Sequence, residues 1–308
     1  MIRGRRRRPR TAQPQRGGKW VGLALVAPTL AVVVLFTFVP LAIAILSSVS
    51  RDRENPGQVP QGSFVGLDNY GRLFGDPDFL QVLTNTAVFV LATVSISVPL
   101  ALGFALAANR AMRGIAPVRT AFFYPTFLPM VGAGAMWLFL YNLNFGLVND
   151  GLQALGLARQ NWLGSEGLAL PAIAAMTIWR EASYFMIFYL AGLQTLPADV
   201  IEAAAIDGAR SWQSLRHVVL PLLRPTSLFV TTTAFILSFQ TYDQIAVMTK
   251  DGGPDNATNM LLFNARLEFG YGHYDLANAQ TVLLVVILFV FTALNYVLSE
   301  RSTTYLGG

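Results

Sequence analysis

Glu202-Ala203-Ala204-Ala205-Ile206-Asp207-Gly208, continuing to Leu220-Pro221, is a polar, helix-forming, glycine-interrupted stretch between two long apolar segments. Residues 200–206 are rich in alanine, the strongest helix former, and carry a small-residue face. Pro197 suits the first turn of such a helix, where its missing N–H would have no partner anyway. Gly208 permits the positive φ with which a helix commonly ends. A second helical stretch, 211–219, then runs to Leu220-Pro221. Asp207 could cap that second helix or meet a partner. A short helix with a small face can enter a protein groove closely, and its carboxylates offer directional contacts to Arg or Lys. The alternative reading is an amphipathic loop lying on a lipid surface.

The rest of the chain sets this stretch in a membrane. The sequence is 54% hydrophobic and only 13% charged, more apolar than a soluble core of 308 residues requires. Cysteine is absent, which excludes disulfides, Cys-ligated zinc and thiol nucleophiles. Six segments reach the roughly 20 mainly apolar residues that a membrane helix needs. They centre on 20–48, 83–108, 121–142, 169–192, 224–247 and 277–298. Pro28, Pro40, Pro99, Pro125 and Pro129 predict kinks that neighbouring helices satisfy. Gly132, Gly134 and Ala135 let helices approach closely.

Arg3, Arg5, Arg6, Arg7, Arg8, Arg10, Arg16 and Lys19 precede Trp20 without an acidic residue among them. This reads as a basic tail that holds the N-terminus in the cytoplasm and touches anionic lipid. A nucleic-acid arm would interleave aromatics, which this tail lacks. The apolar run 20–50 exceeds the core of a signal peptide, so it is read as a retained first span. With the N-terminus inside, fifteen Lys and Arg fall on inner segments and six on outer ones. The positive-inside rule thus places both termini and the Glu202 stretch in the cytoplasm. The expected fold is an all-α polytopic membrane protein with six transmembrane helices. Its parts are a basic tail 1–19, a membrane domain 20–298 containing the loop 195–221, and a tail 299–308.

Written as a pattern, E-A-A, three residues, G, nine residues and V-V-L-P resembles the cytoplasmic EAA loop of binding-protein-dependent ABC importer permeases. Further stretches carry the same resemblance. Phe64-Val65-Gly66-Leu67-Asp68-Asn69-Tyr70, then Leu73-Phe74 and Asp76-Pro77, is similar to the first outer loop of sugar-type permeases. Arg119-Thr120-Ala121-Phe122-Phe123-Tyr124-Pro125 resembles their entry to the third span, with Tyr124 where Leu is frequent. Asn161-Trp162-Leu163-Gly164 resembles the loop before the fourth span. Tyr242-Asp243-Gln244-Ile245, Met248-Thr249-Lys250-Asp251-Gly252-Gly253-Pro254 and Thr258 resemble an F-D-x-I-Y-x-L-T-x-G-G-P-x-x-x-T stretch, with Tyr242 for Phe and Ala246 for Tyr. The nearest group is the carbohydrate-uptake permeases, which include glycerol-3-phosphate and glycerophosphodiester importers.

The resemblance implies one permease of an importer for a sugar or a related polyol or glycerophosphate. In that family the Glu matching Glu202 contacts the ATPase and the Gly matching Gly208 makes the turn. Ala203, Ala204, Asp207, Leu220 and Pro221 complete the coupling segment. ATP and Mg would sit on a dimer of separate ATPase subunits, because no G-x-x-x-x-G-K-[ST] occurs here. A second permease, in this family usually a different chain, and an extracytoplasmic solute-binding protein complete the expected assembly in a bacterial or archaeal cell membrane. Outer loops such as Gly252-Gly253-Pro254 would face that binding protein.

No catalytic constellation stands out, and His217 and His273 lack metal-ligand spacing. Arg180 and Glu181 are charges well inside a span, where an ionisable residue needs a cavity or a partner. They are either interhelical ion-pair members or, for Arg180, a group near the translocation pathway. Phe239, Gln240, Tyr242, Asp243 and Gln244 place aromatic faces beside amides and a carboxylate at the outer end of the fifth span. That mixture suits sugar or polyol recognition, although interfacial aromatics also occur without such a role. An ion-coupled secondary transporter is the alternative function; it predicts buried coupling carboxylates or internal repeats, and Glu181 alone is deeply placed.

Overall fold

The computed structural model describes residues 18–51, 62–109 and 114–303. Most of the basic tail, Arg53, Arg110, Arg113 and residues 304–308 lie outside the described residues. Three helical runs are each long and apolar enough to cross a membrane: Ala24–Ser48, Pro77–Ala108 and Tyr274–Val297. Three further helix pairs meet that test only together, each bent by more than 70°, so the total reaches six when each pair counts as one span.

Prolines mark several of the places where the helices depart from regularity. The first run comprises α1 (Gly18–Val33), a π turn (Val34–Phe38) and α2 (Val39–Ser48). Pro40 lacks an N–H and its ring crowds the turn before it, and the wider i→i−5 pairing of Val39 N–H with Val34 O accommodates it. Helix α3 (Asp68–Phe74) leads to α4 (Pro77–Ala108), whose Asp76 cap accepts the Asp78 N–H at 3.0 Å.

The third span, expected over 121–142 with kinks at Pro125 and Pro129, is broken rather than merely kinked. It consists of α5 (Ile115–Phe123), a 3₁₀ turn (Tyr124–Phe127) and α6 (Met130–Leu140), with a bend of 106°. Pro129 disfavours a helical conformation at Leu128, which adopts φ −78°, ψ 125° instead. After α7 (Leu147–Ala154), the 29-residue α8 (Glu166–Gln194) carries the fourth span. It bends by 75° into α9 (Ala198–Ile206).

The fifth span also differs from expectation. Helix α10 (Ser211–Ser214), a second π turn (Leu215–Val219) and α11 (Leu220–Leu222) meet α12 (Arg224–Phe239) at 73°. Helix α12 stops at Phe239 rather than continuing to 247, and α13 (Asp243–Met248) follows a break. The chain closes with α14 (Leu261–Gly270) and α15 (Tyr274–Thr303).

Helices α4 and α8 pack along one another. One core cluster groups Ala101 and Ala105 with Phe185 and Tyr189, and another groups Phe89 with Ile173 and Met176, so the two helices run in the same direction. Ala101 and Ala105, both 0% exposed, form the small i,i+4 stripe that allows close approach. Gly134 does the same for α6 against Val247 and Met248 of α13. Helix α12 joins this pair through Thr93 Oγ1, which donates to Ser238 Oγ at 2.9 Å. Helix α15 packs on α2 and α14, and Asn295 donates to Thr232 of α12. Leu25, Phe36, Phe38 and Phe289 are exposed, as expected of helices with apolar solvent around them.

Asn69, 0% exposed, ties the first outer loop to the end of α2. Its Nδ2 donates to Ser48 O at 2.9 Å and to Ser50 O at 3.0 Å. Asn69→Ala strands two carbonyls, and at roughly 1–3 kcal/mol per buried unpaired group the solute-free melting temperature of the purified protein should fall by several degrees.

Candidate functional site

The 195–221 segment projects from the ends of α8 and α12. Pro197 is the residue before the helix rather than part of its first turn, with φ −61°, ψ 124°. Helix α9 ends in a two-bond cap: Gly208 N–H donates to Ala205 O at 3.1 Å and Ala209 N–H to Ala204 O at 3.0 Å. This pairing requires a left-handed residue at position 208, and Gly208 supplies φ +81°. Asp207 follows Ile206 as the residue that caps the C-terminal end of α9, and it does not cap the next helix, which Arg210 precedes. Gln213 Oε1 accepts the Arg210 N–H at 2.8 Å, satisfying the start of α10. The π turn ahead of Pro221 repeats the arrangement ahead of Pro40, with Leu220 N–H on Leu215 O.

Glu202, Ala203 and Asp207 are exposed, whereas Ala204 and Leu220 are half-buried. Glu202 makes no hydrogen bond or ion pair among the described residues. The same segment exposes two large apolar residues that the sequence reading did not single out, Ile206 at 86%, one helical turn from Glu202, and Trp212 at 67%. A shallow depression of about 300 Å³ lies behind the turn, lined by Asp207, Gly208, Gln213 and His217. Exposed carboxylates, an exposed tryptophan and a concave turn form a surface suited to docking a protein.

Arg180 is half-buried and its Nε donates to Leu128 O at 3.0 Å. That carbonyl is the one released where Pro129 breaks the third span. Arg180 therefore has a backbone partner on a neighbouring element, and the structure contains no interhelical ion pair for it among the described residues. Glu181, 2% exposed, points elsewhere, and its Oε2 has no hydrogen-bond partner.

The five candidates around the end of the fifth span do not share one face. Phe239 is buried at 9% exposure and packs on Phe235 with ring centroids 4.8 Å apart. Gln244, 3% exposed, faces Thr177 of α8. Tyr242 is half-buried against Phe263, at 5.6 Å between ring centroids. Gln240 and Asp243 are exposed at the break between α12 and α13. The break at 240–242 turns neighbouring side chains apart in a way that a continuous helix would not.

The Gly252-Gly253-Pro254 loop is tightly folded. Gly252 and Gly253 have φ +88° and +76°, and Lys250, Asp255 and Asn256 also take positive φ. A Cβ on Gly253 would lie 2.5 Å from Thr258 Oγ1. Helix α4 fastens the loop: Gln81 Nε2 donates to Asp255 O and Asn85 Nδ2 to Asn256 O, each at 2.9 Å.

Comparison with known proteins places this architecture. The family described as the binding-protein-dependent transport system inner membrane component matches residues 20–304. The chain belongs to that family. This permease is 32% identical over 272 residues to the trehalose/maltose transport system permease protein MalF of Thermococcus litoralis, covering 88% of this chain and 91% of that one. It is 34% identical to the sn-glycerol-3-phosphate transport system permease protein UgpA of Brucella abortus, covering 91% and 95% of the two chains. The permease shares its fold, at TM-score 0.80 and 21% identity over 92% of its length, with a chain of a bacterial alginate ABC transporter solved in complex with an alginate pentasaccharide-bound periplasmic protein. It is thus an inner-membrane transport component related to sugar and glycerol-3-phosphate permeases.

Proposed function

We propose that this chain is one of two permease subunits in an ABC importer that takes up a sugar or a related polyol or glycerophosphate. The carrying observation is the exposed, glycine-capped helix α9, which offers Glu202 without a partner among the described residues, in a segment that also exposes Ile206 and Trp212. Both termini and the 195–221 segment lie in the cytoplasm, a placement supported by the excess of Lys and Arg on that side. Helix α9 docks on an ATPase dimer, which holds ATP and Mg²⁺. A second permease, different from this one, completes the pathway, and an extracytoplasmic binding protein delivers the solute.

Coupling follows from connectivity. The docked segment joins α8 directly to α12, and both pack on α4. When the ATPases close on ATP, motion at α9 reaches two helices of the bundle through short, well-paired connections. The bundle then exposes its cavity outward, and hydrolysis returns it.

The test is uptake into proteoliposomes containing both permeases, the ATPases and the binding protein. Accumulation of labelled solute should require internal or ATPase-side ATP and persist when ionophores collapse ion gradients. Uptake driven by an ion gradient without ATP would instead establish the secondary-transporter reading.

A further inference from the structure

The start of α4, the 249–259 loop and the α14–α15 hairpin enclose a half-open cavity of about 270 Å³. Because α4 and α8 run in the same direction, the cavity lies at the end of the bundle opposite α9. Among the described residues, four carboxylates line it, Asp76, Asp78, Asp251 and Glu268, and no lysine or arginine does. Asp76, Asp78 and Asp251 are exposed. Glu268 pairs with His273 at 2.6 Å.

The buried amides lining the cavity carry a second, independent signal. Asn259 is 5% exposed and its Nδ2 donates to Asn264 Oδ1 at 3.1 Å. Asn264 Nδ2 donates in turn to Gln280 Oε1 at 3.1 Å. This relay commits the nitrogen of Asn259 and leaves its Oδ1 buried without a partner. A buried acceptor without a donor is costly. The site as a whole therefore calls for a positively charged group that only donates. Ammonium and guanidinium groups have that character, since neither can accept a hydrogen bond.

Size narrows the occupant. Pockets for drug-sized molecules begin at about 300 Å³, so this one fits a single long side chain better than an oligosaccharide. Among the described residues, no three His or carboxylate groups lie close enough to hold a metal ion.

We propose that this cavity receives a lysine or arginine side chain of the extracytoplasmic binding protein when it docks. The inference rests on the importer reading and its orientation. Charge complementarity selects this occupant: an acidic rim steers a basic side chain to the mouth, and the aliphatic stem packs on Leu267 and Tyr271. The rigid 249–259 loop holds one side of the cavity in register with α4.

The test uses the complete transporter in nanodiscs and its purified binding protein. The double variant Asp78→Lys/Asp251→Lys reverses two exposed rim charges, and its assembly is checked by size exclusion and thermal midpoint. Its Kd for the binding protein should rise at least tenfold at low salt, with a much weaker salt dependence than wild type. A Lys→Glu or Arg→Glu change at the docking face of the binding protein should recover most of that loss. An assembled variant with wild-type affinity overturns the proposal. So does a variant that keeps binding-protein affinity but loses direct binding of the free solute, since the occupant is then the solute. Failure of the importer reading itself looks different: wild-type transporter would then recruit neither ATPase nor binding protein.

Discussion

Glu202→Lys is expected to reduce ATP-dependent uptake by about 30-fold or more while the chain remains inserted at its normal level. The magnitude follows from the roughly 2–5 kcal/mol lost when one member of a desolvated interfacial charge pair is removed, with reversal at the upper end. Glu202 is exposed and has no intramolecular partner among the described residues, so the substitution removes nothing from the fold. Lysine is also a good helix former, and α9 keeps its Gly208 cap. The loss must then arise where α9 meets another protein. Uptake in cells, read beside an immunoblot of the membrane fraction, separates coupling from insertion. Glu202→Gln keeps shape without charge and should fall between the two. Normal uptake by the lysine variant would remove Glu202 from the coupling surface.

Arg180→Ala is expected to destabilise the permease by roughly 2–4 kcal/mol, measured without any solute. The carbonyl of Leu128 is freed by the Pro129 break and takes its hydrogen bond from Arg180 Nε at 3.0 Å. An unpaired backbone group away from water costs several kilocalories per mole in a membrane, part of which a water can recover. The intrinsic fluorescence of the five tryptophans gives the melting curve directly. Arg180→Lys retains a donor on a differently shaped head and should recover only part of the loss. A role in solute contact predicts the opposite division: unchanged solute-free melting, with a higher KM for uptake.

These two residues mark what was legible before the structure. Six apolar segments, the loop at Glu202 and the turn at Gly208 are properties of local composition, and local composition is what a sequence displays. Pro129 announced a kink. The break measures 106°, and the Leu128 carbonyl within it finds a donor 52 residues away in α8, a pairing that no local pattern contains. Apolar residues posed the reverse difficulty. Ile206 and Trp212 look in sequence like any lipid-facing residue of a membrane protein, and only the fold shows them exposed in the same segment as Glu202. Phe239, Gln240, Tyr242, Asp243 and Gln244 stand together in the sequence at the outer end of the fifth span, a mixture that suits sugar or polyol recognition and also occurs as plain interfacial aromatics. The break at 240–242 sends Phe239 and Gln244 into the core and leaves Gln240 and Asp243 outside.

The absence of cysteine makes the decisive measurement simple, because any introduced thiol is the chain's only one. Glu202→Cys, carrying a benzophenone maleimide, is photolysed in membranes that hold the native complex, with Leu155→Cys on the distal loop as control. The account predicts a covalent adduct between position 202 and a P-loop ATPase, identified by mass spectrometry, and none from position 155. Adducts of position 202 with lipid alone, in membranes where the ATPase is present, would contradict it.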